Sequence, residues 1–214
     1  MHRDGFVIFP DLLTPDAVGE LRAFIDATGG DDASYEVKDW CYNKQIGARY
    51  HQLPRLLPYI DLPRAVELAE AIHGPDCRVI GGSMWVTGPG RQMGIHLDYQ
   101  PIALPADVIA DPRVTVPIFI STLHIYLDDL DLSYGPTVVV PGSHRAGRPP
   151  AGETSWDGVD PQAVILSAGD AMMFRSDIWH GAHLNSGTRR RYMLQVHYAN
   201  VFVERGYPSI QHAA

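Results

Sequence analysis

His96-Leu97-Asp98 sets an imidazole and a carboxylate two residues apart. On an extended segment such residues project to the same side, so the pair could converge on one ion. His180, in Ile178-Trp179-His180 after the β-like Ala171-Met172-Met173-Phe174, offers a third donor. Two histidines and one carboxylate on one face of an octahedral ion leave three positions open. That arrangement suits Fe(II) oxygenation, because a bidentate co-substrate and O2 both need room. The H-x-D pair alone carries little: among ten histidines it arises by chance, and it reads first as a surface histidine beside an unrelated aspartate. Arg191, eleven residues past His180, changes that. It opens the apolar-alternating run Arg191 to Tyr198, and a guanidinium projecting from a strand there could grip the distal carboxylate of 2-oxoglutarate by a two-pronged hydrogen bond. A zinc hydrolase could use the same His/Asp/His triad to activate water. It would need a general base and would leave Arg191 without a task. A metal-independent binding protein on the same fold would have no need of three intact ligands.

The elements that must position these residues follow from periodicity. Phe6-Val7-Ile8-Phe9 is a short β-like run. Thr14 as N-cap and Pro15 at the first helical position begin a helix that continues through Ala17 to Asp26, with Gly29-Gly30 as its stop. Residues 31 to 61 read as loop, and Pro63 to Ile72 as a second helix stopped by Gly74-Pro75. From Arg78 the texture becomes short β-rich runs between Gly/Pro turns, near 78–87, 94–98, 117–127, 136–140, 162–166, 170–175 and 190–203. Helices first and many short strands after them predict a mainly β sandwich or jelly roll rather than a doubly wound α/β fold. Pro101 to Pro117 and Ala146 to Asp160 read as long loops of the kind that cover binding sites. With no repeat and no low-complexity linker, residues 1–214 are expected to form a single oxygenase domain.

In chain order, Asp4-Gly5-Phe6-Val7-Ile8, Leu12-Leu13-Thr14-Pro15, the H-x-D pair, Gly135-Pro136-Thr137 to Pro141-Gly142-Ser143-His144, Trp179-His180-Gly181 and Arg191 together resemble the phytanoyl-CoA dioxygenase family of Fe(II)/2-oxoglutarate-dependent oxygenases. The resemblance spans nearly the whole chain. It implies a double-stranded β-helix (a cupin-like jelly roll) with N-terminal helices packed on one sheet. It implies His96, Asp98 and His180 as iron ligands, Arg191 as the 2-oxoglutarate anchor, and Thr137 as a second contact to the co-substrate carboxylate. Family members often carry a Ser two residues past the distal histidine, where this chain has Ala182. Hydroxylation of a small-molecule metabolite, in natural-product biosynthesis and with release of succinate and CO2, is the activity this implies. The intact carboxylate of Asp98 leaves no vacancy for chloride and so favours hydroxylation over halogenation. Desaturation, epoxidation or cyclisation would use the same triad.

Other residues compete for roles. Alternation sets Arg191, Met193, Gln195 and His197 on one face and Arg190 on the other, but a one-residue slip would exchange Arg190 for Arg191. His144 is expected to be structural, His124 and His197 to be satisfied core histidines, and His183 to lie at the surface, while His51 and His73 carry no local signal. Trp40, Tyr42, Tyr50, Tyr99, Trp156, Trp179 and Arg175 read equally as pocket lining or as packing. A net charge of -8 and pI near 5.6 argue against nucleic acid and anionic membrane as partners. No Lys/Arg cluster suggests a coenzyme A site, which points to a small organic substrate with O2. Cys41 and Cys77 build no disulfide framework, and no run is long enough to span a membrane, so a cytoplasmic protein is expected.

Overall fold

Thr14 caps the first helix as its position suggests: its side-chain oxygen accepts from the Ala17 backbone N–H, Pro15 stands in the first turn, and α1 runs Pro15–Ala27. The computed structural model describes residues 1–28, 37–38, 44–47, 54–99, 105–111 and 113–203. The helix closes at Thr28; Gly29-Gly30, Trp40, Cys41, Tyr42, Tyr50 and His51 lie outside the described residues. In chain order β1 (Phe6–Phe9) precedes α1, and β2 (Val37–Lys38), β3 (Lys44–Gly47), α2 (Leu57–Ile60) and α3 (Pro63–His73) follow it. The span read as loop therefore holds two short strands and a helical turn. Their polar sequence shows no alternation, and pairing to a neighbouring strand, not local propensity, makes them strands.

The β-rich half contains β4 (Arg78–Thr87), β5 (Met93–His96), α4 (Ala106–Ala110), β6 (Ile120–Tyr126), β7 (Thr137–Val139), β8 (Gln162–Ala163), β9 (Ala171–Arg175), β10 (His180–Ala182) and β11 (Arg191–Ala199). Two antiparallel sheets result, in the orders β1-β9-β6-β11-β4-β3-β2 and β5-β10-β7-β8. This is the mainly β, two-sheet architecture expected. The stretch from Pro101 to Pro117 is not wholly loop, since α4 interrupts it. β10 is three residues long, too short to show periodicity, and was not anticipated.

The larger sheet is apolar on both faces. On one, Leu123, Ile125, Leu194, Val196 and Tyr198 pack with Val18, Leu21 and Ile25 of α1 and Ala65 and Ala69 of α3. On the other, Trp85, Tyr126, Met172, Phe174 and Met193 pack with Val139 and Ile178 of the smaller-sheet side. Period-2 alternation along β11 sends Leu194 and Val196 to the helices and Met193 between the sheets. That inter-sheet face also carries the candidate site.

Candidate metal and co-substrate site

His96 ends β5 and His180 begins β10, and the two are register partners across the antiparallel pair. Their rings lie 4.4 Å apart between centroids. Gly181 makes this approach possible. A Cβ there would meet the backbone oxygens of Met93 at 2.7 Å and Gly94 at 2.9 Å, so only glycine lets β5 lie so close. Asp98 arrives differently from what its spacing suggests. The strand stops at His96, and the N–H groups of Asp98 and Tyr99 both donate to the Ser176 carbonyl at 3.0 Å. A bend pinned to the end of β9, not strand alternation, turns the carboxylate inward.

One ligand atom from each of His96, Asp98 and His180 lies within 4.8 Å of the others. Asp98 Oδ1 is 3.5 Å from Nε2 of His180 and 3.8 Å from Nε2 of His96. Backbone carbonyls hold the other ring nitrogens: Nδ1 of His96 bonds Gly94 O at 2.9 Å and Nδ1 of His180 bonds Ile178 O at 3.1 Å. With Nδ1 of each ring held by a carbonyl, Nε2 is the atom that faces Asp98 and the one left to coordinate a metal. Burial opposes ionisation of Asp98, but His180, His197 and His96 hold its carboxyl well below the ordinary range. Burial also opposes charge on His180, yet Asp98 raises its pKa; burial and His180 lower that of His96. The donor set of two imidazoles and one carboxylate, with its atoms closely spaced, fits a divalent cation, which would take the place of any proton shared between His180 and Asp98.

Around Asp98 lies a hydroxyl cluster that sequence reasoning missed. Thr122 Oγ1 donates to Asp98 Oδ2 at 3.3 Å and meets Ser176 Oγ at 2.8 Å and His197 Nδ1 at 3.0 Å. Thr122, His124 and Tyr126 alternate along β6, but Ser121 beside Thr122 blurs the pattern, so the strand's sequence does not single them out.

Arg191 is 1% exposed and its side chain is enclosed, whereas Arg190 is exposed. Nη1 donates to Gly135 O at 2.7 Å and Nη2 to Thr87 Oγ1 at 3.2 Å, leaving Nε–H without a partner. Among the described residues no carboxylate pairs with it. A buried guanidinium with no counter-ion costs several kcal/mol, so the structure fits an anionic ligand at this point. Gly135, with φ +65°, can turn its carbonyl to Arg191 because it carries no Cβ. Thr137 Oγ1 accepts from Tyr126 O–H at 2.9 Å, which leaves its own hydroxyl proton to donate.

The remaining candidates divide cleanly. His144 is structural: its Nε2 bonds the His2 carbonyl at 3.1 Å. His73 Nε2 bonds Ser121 Oγ at 2.8 Å, and His183 is exposed. Trp179 is wholly buried, donating from Nε1 to Arg148 O at 2.9 Å and meeting Trp156 edge-on, so it packs the loop of residues 146–160. Arg175 pairs with Asp177 at 2.7 Å and is likewise structural. His197 is a bonded core histidine, as expected. His124 is buried, and its Nδ1, like those of His73 and His144, has no partner among the described residues.

A two-sheet jelly roll with an inward His/Asp/His cluster and an enclosed arginine defines a class of metal-dependent oxygenases, and comparison with known proteins narrows it. The family model described as Phytanoyl-CoA dioxygenase (PhyH) matches residues 1–193, and the chain belongs to that family of iron- and 2-oxoglutarate-dependent enzymes. Among solved structures, HygX from Streptomyces hygroscopicus with nickel and 2-oxoglutarate bound superposes with TM-score 0.71 at 15% identity, covering 94% of this chain and 84% of that one. The epimerase SnoN, in complex with Fe3+, alpha ketoglutarate and nogalamycin RO, gives 0.71 at 20% identity over 92% and 80%. AviO1 from Streptomyces viridochromogenes Tue57 gives 0.68 at 21% over 96% and 94%. Family membership favours the oxygenase over the zinc hydrolase.

Proposed function

We propose that this chain hydroxylates a small organic metabolite, with Fe(II) held by His96, Asp98 and His180 and 2-oxoglutarate anchored by Arg191 and Thr137. The observation that carries the reading is the convergence of two Nε2 atoms and the Asp98 carboxylate, each oriented by its own backbone or hydroxyl partner. Bound there, iron and the 2-oxo acid supply the oxidising power, as O2 is reduced and 2-oxoglutarate is split to succinate and CO2. The protein's residues do the rest. His96 and His180 present their lone pairs without reorganisation, Thr122 steadies Asp98, and Arg191 supplies Nε–H to the far carboxylate while Thr137 donates its hydroxyl proton. His180 and Arg191 lie buried between the strands, while His96 sits on the open side of the site.

A natural-product substrate is supported by two structural relatives: HygX has been crystallised with hygromycin B and SnoN with nogalamycin RO. SnoN is described as an epimerase and SnoK as a carbocyclase, so hydroxylation is one of the outcomes this fold accommodates. Among the described residues no helix is long and apolar enough to cross a membrane. Cys77 is a free thiol, which suits the reducing cytoplasm proposed as its compartment.

The experiment is anaerobic ultraviolet–visible titration of the metal-free protein with Fe(II) and then 2-oxoglutarate. The expected result is a weak visible charge-transfer band in wild type. It is absent in His180→Ala and requires at least about tenfold more 2-oxoglutarate in Arg191→Ala. A wild type with no band that instead retains zinc tightly would overturn the reading.

A further inference from the structure

The inter-sheet face holds one buried polar chain that the proposed function does not use. Ser83 of β4, Gln195 of β11 and His124 of β6 are successive register partners across the sheet. Gln195 Oε1 accepts from Ser83 Oγ at 2.8 Å and from Trp85 Nε1 at 3.1 Å. An indole N–H can only donate, so the atom facing it must be the amide oxygen. The amide nitrogen of Gln195 therefore faces His124 Nε2, at 3.1 Å, and donates to it. His124 must then accept at Nε2 and carry its proton on Nδ1. Burial, with His180 beside it, lowers the His124 pKa well below the ordinary imidazole value, in keeping with a neutral ring.

That Nδ1–H is buried and has no hydrogen-bond partner. A folded protein rarely leaves a donor in this state, because its hydration is lost with nothing in return. Here three further side chains hold it so. Its surroundings say what it serves. His124 lies on β6 between Thr122, which bonds Asp98, and Tyr126, which bonds Thr137. Its ring centroid is 6.4 Å from that of His180. It thus stands between the metal-binding cluster and the Arg191–Thr137 end.

We infer that His124 binds the 2-oxo acid co-substrate: its Nδ1–H donates to a carboxylate oxygen of 2-oxoglutarate, and Gln195 positions it by fixing the tautomer. This rests on the oxygenase reading above and adds a co-substrate contact to it. The rival placement is local. The His124 ring meets Phe174 edge-on at 4.7 Å, and Nδ1–H could be spent on that ring's π-face.

The test uses the zinc-loaded protein, which is diamagnetic and does not turn over, with 2-oxoglutarate as the only added ligand. Calorimetry should give a 2-oxoglutarate Kd about tenfold or more higher in His124→Phe, which keeps the ring but removes the donor. His124→Asn, whose amide nitrogen can take the place of Nδ1, should bind within about threefold of wild type. In wild type, nitrogen-15 long-range spectra should show the His124 proton on Nδ1 before ligand, and 2-oxoglutarate should shift that resonance. Wild-type binding with an equal Kd in His124→Phe, or a proton on Nε2, or an Nδ1–H resonance that 2-oxoglutarate leaves unmoved, overturns this inference and leaves the oxygenase reading intact. Absence of 2-oxoglutarate binding in wild type overturns both.

Discussion

Asp98 is placed by partners rather than by its own strand, and this is where single-residue effects should be largest. Its Oδ1 faces the two imidazoles while Oδ2 is held by Thr122. Removing that hydroxyl in Thr122→Val leaves all three ligands in place but frees the carboxylate to rotate. Outer partners of this kind are typically worth about 10- to 100-fold in metal affinity, and a loss near the lower figure is expected for Fe(II), read by competition with a chelator. An unchanged affinity would mean that the bend anchored on the Ser176 carbonyl orients Asp98 unaided. The candidate donors His96, Asp98, His180 and Arg191 could be picked out from the chain because metal and carboxylate chemistry limits which side chains would serve, and the first three do cluster. Thr122, Gln195 and His124 could not, since a threonine or glutamine in a strand acquires its role only from what the next strand sets opposite it.

At the scale of elements, the close pairing of β5 with β10 is what makes two histidines eighty-four positions apart into neighbours. Gly181 is the hinge of that pairing. In Gly181→Ala the new methyl would press on the backbone oxygens of Met93 and Gly94, which cannot rotate away. β5 must shift and take His96 with it. A loss of about 1–3 kcal/mol is expected from such overpacking, together with weaker metal binding, measured as the thermal midpoint and the metal Kd. Gly94→Ala on the facing strand is the control, because a Cβ there meets nothing within 4 Å; it should change neither. The two longer helices were legible to within a residue or two, as Thr14, Pro15 and Gly74 punctuate α1 and α3, whereas the short α2 and α4 were read as loop. β10 was not, because three residues of strand leave no period to detect.

The whole molecule carries a pH dependence that follows from histidines buried without charge. Burial lowers His73 and His144 to about 4, from an ordinary value near 6.5. Between those values the unfolded chain binds protons that the folded one refuses, so stability is complete above about pH 6.5 and is lost as pH falls toward 4. Each group contributes about 1.4 kcal/mol per pH unit inside that window. Urea unfolding of the chelator-treated protein should therefore show a midpoint that declines from pH 7 to pH 5. In His73→Gln one of these groups no longer titrates, so the decline should be shallower by that group's share, while His144, His197, His124 and His96, all lowered, go on contributing. A pH-independent midpoint would show that these rings are protonated in the folded state.

Composition, ligand types and their order along the chain were enough to establish the class of chemistry and the helices-then-strands plan, since those depend on what each side chain can coordinate and on local periodicity. Tertiary structure decided the rest. It buried Arg191 and left Arg190 exposed, a difference that two adjacent arginines do not reveal by themselves. It brought Asp98 to the site by a bend rather than by alternation, and it set Gln195, itself held by Ser83 and Trp85, against Nε2 of His124. Those outcomes depend on strand register, which long-range pairing sets, and a local stretch of sequence does not contain its distant partner.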